Sequence, residues 1–285
     1  MQQRTLAKTV SLSGIGLHSG CQVNLKLNPA PAGSGIVFRR TDLPGQPQLA
    51  ALYSNVTDTR NCTCLGDGKG LAVSTIEHLM AALAVSAVDN ALIDVDNQEM
   101  PIMDGSALPF YQAIQDAGTT AQNAPRQVLK VLREVSFSDD KGNSASLSPS
   151  SEFAVDFEIE FPSKIVGCQR FNHIITPKVF AELVAPCRTF CEKYQVDYLQ
   201  SVGLIKGGSL ENAVVLDGET ILNPGGFRVE NECVNHKVID AIGDMYTAGL
   251  PLIGRLKASK SGHYHNNMLL KQLFADPANF EIIEG

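Results

Sequence analysis

The chain has 285 residues, 44% of them hydrophobic and 19% charged, which is the composition of a folded globular protein and not of a disordered one. A formal charge of −7 argues against an electrostatic grip on nucleic acid. The longest apolar run, Leu79 to Val88, falls far short of the roughly 20 residues that cross a bilayer, and Met1–Val10 holds no apolar core of signal-peptide length. Seven cysteines, an odd number without scaffold-like spacing, fit reduced thiols and a cytoplasmic protein.

In chain order, alternation at Val23, Leu25 and Leu27 and the run Ile36–Phe38 predict strands. A helix is expected over Ser74 to Val85, then a strand over Ala91 to Val95, a turn at Met103–Ser106 and a helix reaching Ala117. The polar stretch Gly118 to Arg126 is the natural boundary between an N-terminal domain, 1–121, and a C-terminal domain, 127–285. Beyond it, Val128–Val135 and Ser144–Leu147 read as strands, and Phe153, Val155, Phe157, Ile159 and Phe161 keep a two-residue period. A helix over Cys233 to Ala248, a strand over Leu252 to Leu256, the turn Lys260-Ser261-Gly262 and a last helix over His265 to Leu273 follow. Each half thus ends helix, strand, Gly-containing turn, helix. The expected fold is α+β, with two similar domains meeting at a cleft and the extra segments 41–73 and 162–230 decorating it.

Among six histidines, His236 stands four residues before Asp240. On a helix such residues are turned only ~40° apart and rise ~6 Å, so both can reach one metal ion; taken alone, HxxxD is a weak signal and equally fits a solvated helix face. Ser74 and Glu77 have the spacing of a helix capping box, and His78 follows directly. Should the two equivalent helices face one another, His78, His236 and Asp240 would form a three-ligand site with an open position, the pattern of catalytic zinc. Glu77 would then lie beside the bound water as a general base, and His263 is a candidate general acid. HExxH, GxxxxGK[ST] and GxSxG are all absent. Cys62/Cys64 and Cys187/Cys191 offer an alternative thiolate metal site, without the usual CxxC spacing.

The strings Gln3–Leu6, Gly14–Gly20, Ser74–Leu79, Pro101–Ala107, Arg188–Phe190, Gly207–Ser209, His236-Lys237 with Asp240, and Lys260–His263 occur in one order along the chain. In this the sequence resembles the LpxC family, the UDP-3-O-(3-hydroxyacyl)-N-acetylglucosamine deacetylases of lipid A biosynthesis, over essentially its whole length. The resemblance implies a β-α-α-β sandwich with the helices between two sheets and an insert in each domain. It also implies Zn2+ on His78, His236 and Asp240, Glu77 as base, His263 as acid, Asp244 orienting His263, and Thr189 stabilising the oxyanion. Substrate contacts carried over are Lys237, Phe190 and Lys260, with Leu17, Val196, Ile205, Gly208, Ser209 and Ala213 lining a passage for the 3-O-acyl chain. The expected partner is the acylated UDP-sugar, with neither nucleic acid nor a membrane span, on a monomer. Cys187, Cys191, Glu192, Lys193 and Asn235 depart from the family pattern. Two other readings stay open at this stage: a relative that binds the sugar nucleotide without turnover, and a zinc hydrolase for another N-acyl sugar.

Overall fold

The computed structural model describes residues 1–285. Its N-terminal sheet has the order Val10–Ile15, Gln22–Pro29, Ala91–Val95, Ile36–Arg40, Gln48–Ala50, with Ala91–Val95 parallel to Ile36–Arg40 and the other neighbours antiparallel. Period-two burial in Gln22–Pro29 sends Val23, Leu25 and Leu27 to one face. That face meets helix α1 (Glu77–Val85) and helix α2 (Leu108–Ala117) through Leu79, Met80, Leu83, Phe110 and Ile114, which form one core.

The C-terminal sheet is seven-stranded and centred on Leu252–Ser259, which runs parallel to Gln127–Val131 and to Phe153–Glu160 and antiparallel to Ser144–Ser148. Over it lie helix α5 (Glu232–Tyr246) and helix α6 (His263–Ala275), in a second core with Val155, Phe157, Val238, Ile242 and Leu270. Between the two cores, α1 packs on α5. Ala81 of α1 joins the C-terminal core while Tyr246 of α5 joins the N-terminal one, so the helices are shared between the sheets. The result is the sheet–helix–helix–sheet α+β sandwich expected.

Several local expectations need correction. The polar stretch Gly118–Arg126 carries the strand Thr119–Pro125, which pairs antiparallel with Gln2–Leu6. Its side chains are mostly exposed, so no apolar pattern marks it. Val128–Val135 is two strands, Gln127–Val131 and Val135–Ser138, parted where Leu132 and Arg133 donate to the Asn279 carbonyl instead of a sheet neighbour. Part of segment 162–230 is not an addition, since Cys168–Ile174 pairs with Phe153–Glu160 in the main sheet. The remainder holds helix α3 (Pro177–Val179), which continues as a π-turn, and a small sheet of Phe190–Glu192, Val214–Asp217 and Thr220–Ile221 flanked by helix α4 (Lys193–Ser201). No helix is long and apolar enough to cross a membrane.

Candidate metal centre and adjoining passage

The α1–α5 contact is built for close approach. Gly243 lies against the start of α1, and a Cβ there would sit 2.0 Å from the Glu77 carbonyl oxygen, so only glycine lets the backbones meet. This apposition brings His78 at the head of α1 to His236 and Asp240 on α5. The Asp240 Oδ1 is 3.6 Å from His78 Nε2 and 3.5 Å from His236 Nε2, and the two imidazoles stand edge to face with centroids 5.0 Å apart. The donor atoms of the three residues all fall within 4.8 Å of one another, and all three are buried.

The surroundings fix these donors. His236 Nδ1 donates to the Cys187 carbonyl (3.1 Å), which leaves Nε2 with a lone pair facing the cluster. Burial pulls the His236 pKa down to about 3, so the ring is neutral and able to bind a cation. Burial opposes ionisation of Asp240, yet the Lys237 ammonium above all holds its carboxyl well below the usual range. Lys237 Nζ donates to Asp240 Oδ2 at 2.5 Å. Two imidazole nitrogens and one carboxylate oxygen, with an open cavity in front, match the donor set of a catalytic metal site and not a closed structural one.

Glu77 and His263 flank the cluster, Glu77 Oε1 lying 4.0 Å from His263 Nε2. The expected capping box is not formed. The Glu77 side chain instead accepts from the Thr63 amide at 3.0 Å, and the helix is entered through Ile76 with no side-chain cap. Thr75 just before it takes φ 61°, a costly left-handed value for a β-branched residue, which turns the chain so that Glu77 and His78 face inward. Burial raises the Glu77 pKa, against the pull of His263 and His78.

His263 opens α6 and binds Asp244, one turn beyond Asp240, through Nδ1 at 2.9 Å. Asp244 is itself held by Thr63 Oγ1 (2.5 Å) and Asn266 Nδ2 (2.9 Å). Burial would lower the His263 pKa, but the charge and hydrogen bond of Asp244, with Glu77 and Asp240 behind it, push it up to about 9. Thr63, Asn266 and the Cys187 carbonyl are the participants that sequence reasoning missed. Of these only Asn266 had a signal, being three residues after His263 and so on the same helical face.

A cavity of about 460 Å³ opens over the cluster, lined among others by Leu17, Thr189, Phe190, Lys237 and Lys260. Thr189 is set by its backbone, its amide donating to Gly105 O (2.8 Å) and its carbonyl accepting from Val214 (2.7 Å). The preceding Arg188 is locked to Glu232 at the head of α5, whose carboxylate accepts from the Arg188 amide and Nε, both at 2.9 Å. Lys260 Nζ forms an ion pair with Glu160 at the rim. On the other side the cavity runs into a second, more apolar space of about 690 Å³, with Leu17, His18, Asn61, Thr189, Phe190 and Gln195 common to both. Leu17, Val196, Ile205, Gly208, Ser209 and Ala213 all line this second space. Glu99 holds its near edge by accepting from the amides of His18 (2.7 Å) and Ser19 (2.8 Å).

Of the departing residues, Cys191 and Lys193 line the passage, whereas Cys187 is buried in the C-terminal core and Glu192 caps α4. Asn235 Nδ2 donates to the Leu183 and Glu230 carbonyls. The thiolate alternative does not materialise. Burial raises the pKa of Cys62, Cys64, Cys187 and Cys191, the last to about 11, and no cysteine joins a group of metal-donor side chains.

Two imidazoles and a carboxylate, with a further carboxylate and an imidazole–aspartate pair beside them, are the groups of a metal-dependent hydrolase. A family model described as LpxC, UDP-3-O-acyl N-acetylglycosamine deacetylase, matches residues 3–275. The UDP-3-O-acyl-N-acetylglucosamine deacetylase of Myxococcus xanthus is 46% identical over 282 residues, covering 99% of this chain and 89% of that protein. Those of Vibrio parahaemolyticus and Pasteurella multocida are 44% and 43% identical, each over 99% of this chain and over 92% and 93% of their own lengths. The chain belongs to the LpxC family.

Proposed function

We propose that the chain hydrolyses the N-acetyl amide of UDP-3-O-acyl-N-acetylglucosamine, releasing acetate and a free glucosamine nitrogen, as a cytoplasmic, monomeric step toward lipid A. The observation that carries this reading is the continuity of the metal-donor cluster with a long apolar passage: a polar reaction centre beside room for an acyl tail.

His78, His236 and Asp240 would hold Zn2+, which supplies an electrophile for the acetyl carbonyl and an acidified water. Glu77, raised by burial and 4.0 Å from His263, takes the proton from the attacking water. Thr189, which lines the cavity, would supply a hydroxyl to the developing oxyanion, where a preorganised donor gives most. His263, positively charged with Asp244 behind it, protonates the departing nitrogen, without which an amine anion would be expelled. Lys237 keeps Asp240 ionised and turns its remaining capacity to the substrate. Phe190 lies against the sugar nucleotide, Lys260 serves a phosphate once freed from Glu160, and the passage takes the 3-O-acyl chain.

The test is acetate release from UDP-3-O-(3-hydroxyacyl)-N-acetylglucosamine by metal-stripped protein before and after one equivalent of zinc. Activity restored by zinc is the expected result; a protein that binds zinc and substrate without releasing acetate would overturn the reading.

A further inference from the structure

Three consecutive residues, Cys187, Arg188 and Thr189, are each bonded through the backbone to a different part of the centre. The Cys187 carbonyl accepts from His236 Nδ1 (3.1 Å), the Arg188 amide donates to Glu232 Oε1 (2.9 Å), and the Thr189 amide donates to the Gly105 carbonyl (2.8 Å). Glu232 stands one helical turn before His236 on α5, so the first two bonds fix the segment relative to a metal donor. The third comes from the other domain, since Gly105 belongs to the turn Met103–Ser106 that precedes α2.

That turn is shaped to reach across. Met103 and Gly105 both take left-handed backbone, φ 55° and 84°. A Cβ on Gly105 would sit 1.9 Å from the Asn212 carbonyl oxygen, so the turn lies directly on the C-terminal insert. Asp104, between these two residues, ties the turn down. Its Oδ1 accepts from the Ser106 amide (3.0 Å) and hydroxyl (2.7 Å), while its Oδ2 accepts from Arg228 Nη1 at 2.6 Å. The same Nη1 donates to the Pro186 carbonyl (3.2 Å), and the Arg228 amide donates to Glu232 Oε2 (2.6 Å). One arginine thus joins the turn, the residue before Cys187 and the head of α5.

The Arg228 and Asp104 side chains are 34% and 30% exposed, and ion pairs in such contact with water add little to stability. We propose that this pair is a positioning device for Thr189, holding the Gly105 carbonyl where it directs the Thr189 hydroxyl to the oxyanion. The inference rests on the deacetylase reading, in which Thr189 is the oxyanion donor. His78 comes from one domain and His236 and Asp240 from the other, so a hydroxyl serving an oxyanion among them must be referenced to both. Glu232 supplies one reference and Gly105 the other. Neither Asp104 nor Arg228 lines the cavity or the passage, so both act through Thr189 and not by touching substrate. A misplacement of about 1 Å at a catalytic group lowers the rate on the order of a hundredfold.

The experiment is a double-mutant cycle between Arg228→Gln and Thr189→Val on the zinc-loaded protein, with kcat and KM measured separately and amide hydrogen exchange followed by NMR. Arg228→Gln should lower kcat at least about tenfold and leave KM within about twofold. In the Thr189→Val background the same change should lower kcat by less than about twofold, because the hydroxyl it positions is gone. The Thr189 amide should exchange at least about tenfold faster in Arg228→Gln, while amides in the middle of α5 and the Tm stay nearly unchanged. Asp104→Asn, which keeps the Oδ1 acceptor for Ser106, should reproduce these effects. An equal kcat loss in both backgrounds, or unchanged Thr189 exchange in Arg228→Gln, would overturn the proposal. Exchange is read without turnover, so failure of the deacetylase reading would show separately, as wild-type protein whose Thr189 amide depends on Arg228 but which releases no acetate.

Discussion

Gly243 of α5 and Glu77 of α1 meet backbone to backbone, with no space for a side chain between them. The same contact sets the distance from His78 to Asp240, so packing and metal geometry are one constraint. Gly243→Ala is therefore expected to cost more than an ordinary overpacked methyl, at or above about 1–3 kcal/mol, although alanine is the better helix former. Thermal unfolding and zinc titration together check this: a lower Tm with weakened zinc affinity is expected. An unchanged zinc affinity would mean that the donor cluster does not depend on this contact.

Removing a donor tests the cluster directly. His78→Ala and Asp240→Ala should each lose zinc on dialysis, while the wild type retains it. Asp240→Ala also strips Lys237 of its carboxylate partner, so it should be the less stable of the two. Full zinc occupancy measured by atomic emission in either variant would remove that residue from the donor set.

Much of this centre was legible in the sequence because it depends on local periodicity. His236, Asp240 and Asp244 share a face through the helical repeat alone, and Phe153–Glu160 declared itself by alternation. What the sequence concealed depends on contacts between distant segments. Thr63 reaches Asp244 across 181 positions and simultaneously donates its amide to Glu77, a link with no local pattern. For the same reason Ser74 and Glu77 mimic a capping box, when tertiary bonds claim both: the Ser74 amide donates to Gln98 O and the Glu77 carboxylate accepts from Thr63. The strand Thr119–Pro125 was hidden because it lies at a polar edge, where partner Gln2–Leu6 supplies hydrogen bonds and little burial.

Glu77→Gln keeps an acceptor for the Thr63 amide and changes little in shape, so the fold and zinc content should persist. Loss of the base should lower kcat at least ~100-fold. A rate near wild type with zinc retained would reduce Glu77 to a structural partner of Thr63.

The pH–rate profile should carry the signature of His263. Its protonated form is the acid, so activity is present below its folded pKa and lost as pH rises through it. That pKa is pushed up to about 9 by Asp244 and its neighbouring carboxylates; a bound divalent cation repels the imidazolium and moves the limb downward from there. Asp244→Asn removes the largest raising influence and should shift the basic limb to still lower pH. His263→Ala should abolish the limb while keeping zinc. A basic limb unchanged in His263→Ala would assign it to another group.

The passage makes a prediction about chain length that is independent of the chemistry. Ala213 is buried at the passage wall beside Val214 and Val215, and it lies across the same space as Val196 and Ile205. Ala213→Leu adds three carbons to that wall, which narrows the bore without touching the donor cluster. KM for a substrate with a long 3-O-acyl chain should rise by about fourfold to fifteenfold, since one or two displaced methylenes are worth about 0.8 kcal/mol each. A substrate with a short acyl chain should be turned over with nearly unchanged kcat and KM. Equal losses for both substrates would mean that the substitution disturbs Thr189, whose carbonyl is bonded to Val214, and that the acyl chain leaves the centre by another route.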